Sequence, residues 1–182
     1  MKHAWSEDEG RRIVGAVFPR VLTAGCEGIA PGKVEDEMLL PPCGYSDPLP
    51  ALDGVTFGFF VGDPAPLLAA VREVEPNWAK YYDGREPAFC AFVGGKVVSF
   101  CLLSDFGERE ILGQKGKVGG TGCVGTVPAY RRRGIGLKLV SLGTAILRDR
   151  GFAYSYIHDT GVPDWYAKLG YQTIYRRGNP VK

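Results

Sequence analysis

The sequence predicts a mixed α/β fold, and three observations carry that expectation. Short apolar runs with strand character alternate along the chain with segments of helical periodicity. Gly94-Gly95 joins two of those runs as a hairpin turn would, which makes the sheet mixed rather than purely parallel. Residues 1–54 follow another pattern, helical and then rich in proline and glycine, and read as a helical and irregular extension packed on a domain formed by 55–182.

The elements follow in order. Ser6-x-x-Glu9 is a capping box, and Ile13, Val14, Val17, Phe18 and Leu22 recur at helical spacing, so a helix is expected from about residue 7. Pro19 should kink or end it. Prolines and glycines accumulate from Gly25 to Gly54, and "PPCGYSDPLP" (41–50) cannot form a continuous helix or a central strand. Strands are expected over 55–61, 88–93, 96–103 and 118–127, with a helix over 65–74 and a short one over 76–82. Ile135, Leu139, Leu142 and Ile146 mark one face of a helix that Gly151 ends. A strand over 152–157, a short helix over 163–169 with Pro163 at its start and Gly170 past its end, and a strand over 171–175 complete the series.

Composition narrows the function classes. With 182 residues and 45% hydrophobic content, the chain can bury a sizeable core. A formal net charge of +2 is too small a surplus for bulk binding to nucleic acid or an anionic membrane, so any anion site must be local. The five cysteines form no CxxC pair, and the two histidines, His3 and His158, stand far apart; neither a disulfide framework nor a metal cluster is expected. A reducing, cytoplasmic setting fits this usage, and no apolar run approaches a membrane span.

The segment "VPAYRRRGIG" (127–136) sets three arginines against two glycines between a strand and a helix. The first N–H groups of a helix have no intrahelical acceptor, and with the helix dipole they form an anion site. Gly134 and Gly136 let a bulky group approach the backbone, and Arg131, Arg132 and Arg133 add charge at the rim. R-x-x-G-x-G alone does not separate this reading from a solvated basic turn, and it is neither a Walker A loop nor a dinucleotide fingerprint.

Two motifs together resemble the GNAT superfamily of N-acetyltransferases. The stretch 124–136, Val-Gly-Thr-Val-Pro-Ala-Tyr-Arg-Arg-Arg-Gly-Ile-Gly, is similar to that family's acetyl-CoA signature, and "WYAKLGY" (165–171) to its downstream tyrosine box, with Trp165 in place of Phe or Leu. The resemblance covers about 55–175 and implies a mostly antiparallel central sheet flanked by helices, with acetyl-CoA as co-substrate. It implies that backbone groups of Val124, Gly125, Thr126 and Val127 pair with the pantetheine arm, and that Arg131, Arg132, Arg133, Gly134, Ile135 and Gly136 cradle the pyrophosphate. Tyr166 matches the tyrosine that protonates the departing thiolate. Asp159 stands where many members carry a cofactor-contacting Asn, so an amide donor is lost there.

The implied reaction is transfer of acetyl to a primary amine of a small molecule or peptide by direct attack. It needs an oxyanion donor, an acid and a base. Spacing does not select the base: Asp105, Glu108 and Glu110 lie after the 96–103 strand, and Glu73 and Glu75 near the end of the 65–74 helix. Cys123 lies on the central strand without a positioned histidine and reads as a structural thiol. His158 is another candidate base or a locally bonded histidine. Trp78, Tyr81 and Tyr82 either line an acceptor pocket or pack in the core. The N-terminal helix docks on its own domain, covers the acceptor site, or forms a homodimer seam, the first being the least demanding. A non-catalytic acetyl-CoA sensor is the alternative, disfavoured by the presence of Tyr166.

Overall fold

The structure, a computed structural model, describes residues 4–179; His3 lies outside the described residues. Hydrogen bonding orders seven strands as β2-β3-β4-β5-β6-β1-β7. They are β1 (Val34–Leu40), β2 (Thr56–Phe59), β3 (Ala88–Val93), β4 (Lys96–Ile111), β5 (Gln114–Thr126), β6 (Tyr154–Thr160) and β7 (Gln172–Gly178). The helices are α1 (Glu7–Val17), α2 (Ala65–Val74), α3 (Ile135–Asp149) and α4 (Pro163–Ala167). β5 and β6 run parallel because α3 carries the chain between them, whereas β2/β3, β3/β4, β1/β6 and β1/β7 are antiparallel.

The chain forms two compact units, and their limits are not those expected from the sequence. One unit comprises residues 44–104 and 120–150; the other comprises the described parts of 1–43, 105–119 and 151–182. None of these limits falls at residue 54, and β4 and β5 each run through both units.

In the unit formed by 44–104 and 120–150, period-2 alternation on β3 and β4 builds two cores. Cys90, Phe100 and Leu102 pack with Leu67, Ala70 and Val71 of α2. Phe89, Ala91, Cys101 and Leu103 pack with Ile135 and Leu139 of α3. Burial on both faces is why β4 reads as a nearly continuous apolar run from Val97 to Leu103, broken only by Ser99. The proline-rich segment is indeed irregular, and side chains pin it to α3: Tyr45 Oη and Ser141 Oγ lie 2.7 Å apart, and Asp47 takes bonds from Ser141 (2.6 Å) and Lys138. Burial would raise the Asp47 carboxyl, but Lys138 and Ser141 outweigh it and hold it below its ordinary value.

In the other unit, α1 begins as the capping box requires, with Glu9 N–H donating to Ser6 Oγ and Ser6 N–H to Glu9 Oε2. Its Ile13, Val14 and Val17 pack with Leu39, Ile111, Val118, Tyr156 and Ile174. Gly10 lets α1 lie directly on β7, since a Cβ there would sit 1.7 Å from the Ile174 carbonyl oxygen.

Two expectations fail in this unit. Residues 25–54 hold a strand: β1, "VEDEMLL", is inserted between β6 and β7. Its acidic run hides it from a β pattern, yet Asp36 is fully buried against the Arg176 guanidinium (2.7 and 2.8 Å) and the Thr173 hydroxyl (2.6 Å). β4 also continues to Ile111 and turns through Leu112 (φ 51°) and Gly113 (φ 82°) into β5, so Asp105, Glu108 and Glu110 lie on a strand and not on a connection. The charges along 105–117 break the apolar periodicity that would have marked it.

Candidate active site

The loop that closes β5 is fixed by its own arginines. Arg131 Nε donates to the Thr126 carbonyl (2.9 Å) and Arg133 Nη2 to the Ala129 carbonyl (3.0 Å), bracing the 3-10 turn Pro128–Tyr130. Arg132 turns the chain at φ 61°, and Gly134 caps α3 at φ 76° in the left-handed region that glycine enters without penalty. Nothing lies within 4 Å of the position a Gly134 Cβ would take. The first helical bond runs from Lys138 N–H to the Gly134 carbonyl (3.0 Å), so helix geometry leaves the N–H groups of Ile135, Gly136 and Leu137 without an intrahelical acceptor. Three such donors behind a glycine with open space at its Cβ position suit an anionic group. Ile135 and Gly136 are themselves buried as the first residues of α3.

Upstream, three of the backbone groups assigned to a pantetheine arm have partners within the protein. Val127 N–H donates to the Val98 carbonyl (2.9 Å), Ser99 Oγ to the Gly125 carbonyl (2.7 Å), and Arg131 Nε takes the Thr126 carbonyl. The two carbonyls keep a second lone pair, and the Val127 N–H is committed to Val98. Gly125 has a packing role: its missing Cβ would fall 2.4 Å from the Phe100 ring. Val124 packs against the core under α3.

β5 breaks its extended conformation at Cys123 (φ 47°), where Tyr82 Oη donates to the Cys123 carbonyl (2.8 Å). This bond, with the edge-on contact to Phe100 (5.5 Å), makes Tyr82 a core residue. Trp78 packs partly against the same core, and Tyr81 is half exposed beneath the Lys80 ammonium (4.9 Å). The three aromatics therefore do not act as one cluster. Burial, followed by the charge of Glu86, pushes the Cys123 thiol up to about 11, which suits a structural thiol. Glu86 itself escaped the sequence reading: it is half-buried, its carboxylate accepts from Ser104 Oγ (2.7 Å), and nothing in "DGREP" marks it. Of the other carboxylates, Asp105 is paired with Lys117 (2.8 Å), Glu75 caps the turn at Pro76, and Glu73, Glu108 and Glu110 are exposed.

In the other unit, Tyr166 is buried on α4, with Trp165 edge-on at 4.8 Å and Tyr171 at 6.0 Å. Asp159, at φ 48°, belongs to a polar network that sequence distance concealed. His158 Nδ1 faces both oxygens of buried Glu37 (3.1 and 3.0 Å), and His158 Nε2 lies 3.2 Å from Asp159 Oδ2. Arg177, also buried, donates to Asp159 and to Glu35 (3.1 Å). Burial works against a charged His158, but Glu37 and then Asp159 outweigh it and raise its pKa. Burial and the Asp159 charge raise Glu35. Asp159 is held low: burial opposes this, and its hydrogen bonds with the charges of His158 and Arg177 prevail. Asp159 thus carries charged side-chain contacts where the resemblance implied a cofactor contact. Among the described residues, no helix is long and apolar enough to cross a membrane.

The model of the acetyltransferase (GNAT) family matches residues 59–171. No curated protein matches the sequence. Among solved structures, the chain is similar to the GCN5-related glucosamine N-acetyltransferase region of a fungal multi-domain GH3 β-N-acetylglucosaminidase, with 21% identity over 79% of this chain and 20% of that one and a TM-score of 0.68. It is also similar to GCN5-related N-acetyltransferases from Kribbella flavida (18% identity, 87% and 61% covered, TM-score 0.58) and Sphaerobacter thermophilus (22%, 87% and 53%, 0.57). The chain spans only 20%, 61% and 53% of the length of these structures, and at such identities the likeness shows the fold.

Proposed function

The chain belongs to the acetyltransferase (GNAT) family, and we propose that it moves an acetyl group from acetyl-CoA to a primary amine by direct attack, without an acyl-enzyme. The observation that carries this reading is the start of α3, where left-handed Gly134, with open space at its Cβ position, precedes three backbone donors that have no intrahelical acceptor. There the N–H groups of Ile135, Gly136 and Leu137 hold the pyrophosphate, and Arg132 adds charge at the rim. The co-substrate supplies an acetyl group activated as a thioester.

In the transfer, the amine nitrogen bonds to the acetyl carbon, the carbon–sulfur bond breaks, the amine loses a proton and the thiolate gains one. Glu86 is the candidate for taking the amine proton, directly or through water, since Ser104 orients its carboxylate and it acts electrostatically on Cys123 of β5. Tyr166 is the candidate for protonating the thiolate, on its position in "WYAKLGY". Cys123, held protonated at neutral pH, takes no part as a nucleophile.

Calorimetric titration with acetyl-CoA and with free CoA tests the reading, followed by thiol-release assays on an amine panel. Glucosamine, the amine named for the fungal region, belongs in that panel. Binding with turnover supports the transfer. Binding with no turnover of any amine favours a sensor, and no binding removes the reading.

A further inference from the structure

We infer that a cavity of about 440 Å³ in the unit that contains α1 and β6 binds a neutral amide carried on an apolar body. This goes beyond the acetyl-transfer reading and does not rest on it, because every residue that lines the cavity belongs to that one unit. Val17, Val21 and Ala24, at the end of α1 and in the turn after it, supply apolar lining; Glu27, Asp159 and Arg177 supply polar lining. The Phe18 ring lies flat on the His158 imidazole (centroids 4.2 Å and planes 6° apart), and the two ring nitrogens are turned to Glu37 and Asp159, so His158 is already occupied on one face and at both nitrogens. The α1 lining lies outside the 59–171 family match, so it is a feature of this chain and not a part the family supplies.

Arg177 decides what the ligand must offer. It is 7% exposed, and its Nε–H has no acceptor among the described residues. Its other nitrogens are engaged, Nη2 by Glu35 (3.1 Å) and Asp159 and Nη1 by the Gly25 carbonyl at a long 3.4 Å. A buried donor without an acceptor has lost its hydration and gained no bond in return, so a ligand oxygen that reaches it is strongly favoured. Charge then selects the kind of oxygen. Glu27 and Asp159 line the cavity, Glu35 pairs with Arg177, and Glu37 stands behind His158. Set against Arg20, Arg177 and His158, these four carboxylates leave a negative surplus even when the imidazole is protonated, and a carboxylate ligand is repelled. An ammonium brings no oxygen to Nε–H and sets a second cation beside the guanidinium. A neutral carbonyl satisfies the donor without adding charge, the N–H groups of an amide find acceptors in Asp159 and Glu27, and the α1 lining takes the apolar body.

The test is titration of the full chain, followed by nuclear magnetic resonance, with 3-phenylpropionamide, the anion 3-phenylpropionate, the cation 3-phenylpropylammonium and ethylbenzene, which keeps the apolar body alone. The amide should bind at least about tenfold tighter than any of the other three. It should also move the Arg177 Nε–H resonance downfield, which ethylbenzene should leave in place. Arg177→Lys keeps a positive charge for Asp159 and Glu35 but has no Nε–H, so it should bring the amide to the affinity of ethylbenzene. If that variant folds poorly, Ala24→Leu, at a half-buried position in the turn after α1, fills part of the cavity and should weaken the amide at least about tenfold. Tightest binding of either ion, equal binding of the amide and ethylbenzene, no binding of the amide, an Nε–H resonance that the amide leaves unmoved, or an unchanged amide affinity in folded Arg177→Lys or Ala24→Leu would each overturn the inference.

Discussion

The start of α3 and the cavity beside β6 present charge in opposite ways. At α3 the donors are backbone N–H groups, exposed by Gly134 and steadied by arginines that bond to carbonyls five and four residues away. At β6 the charges are side chains gathered from distant parts of the chain, Glu37 meeting His158 across 121 positions and Glu35 meeting Arg177 across 142. A backbone site is written in a dozen consecutive residues and tolerates change in most side chains. A side-chain site depends on the tertiary fold that assembles it, and each member alters the protonation of the rest.

Four substitutions sharpen or break that contrast. Gly10→Ala should have the largest effect, because a methyl would meet the Ile174 carbonyl at 1.7 Å. A loss of about 3 kcal/mol in denaturant-derived stability is expected, and an unchanged midpoint would mean that α1 does not lie on β7. Tyr166→Phe should lower turnover about a hundredfold with acetyl-CoA affinity unchanged; a matching loss of affinity by calorimetry would make the residue structural.

Gly134→Val should weaken acetyl-CoA binding at least about tenfold, while the space around its Cβ and its single left-handed φ limit the stability cost to about 1–2 kcal/mol. Full affinity in that variant would remove the backbone site. The smallest effect belongs to pH. Because Glu37 raises the His158 pKa above 6.5, their pairing contributes fully below that value and is lost as pH rises through the folded-state pKa. A nuclear magnetic resonance titration should place the His158 inflection above 6.5 and move it down in Glu37→Gln. An inflection at or below 6.5 in the wild type would show that burial wins.

The same contrast explains what could be read from the sequence. The capping box of α1, the Gly94-Gly95 hairpin and the periodicity of α3 are local rules, and the structure follows them. β1 was not legible, because "VEDEMLL" carries three acids whose partners lie more than a hundred residues later: Arg177 and Arg176 on β7 for Glu35 and Asp36, and His158 on β6 for Glu37. The far half of β4 was hidden by surface charges, and Glu86 by an unremarkable loop. Asp159 was noticed as a departure from a motif, but its partners Glu37 and Arg177 leave no mark within any local window.

The insertion of β1 between β6 and β7 also sets an order of events during synthesis. Residues 34–40 leave the ribosome early, yet the strands that hydrogen-bond to both of their edges span 154–160 and 172–178. Until those strands arrive, β1 has no neighbour to satisfy its backbone and no arginine to neutralise its acids. The unit built on β1 must therefore close late, after more than a hundred intervening residues have been made, and such non-local closure is slow. The unit formed by 44–104 and 120–150 draws on no residue beyond Arg150 and is free to assemble first.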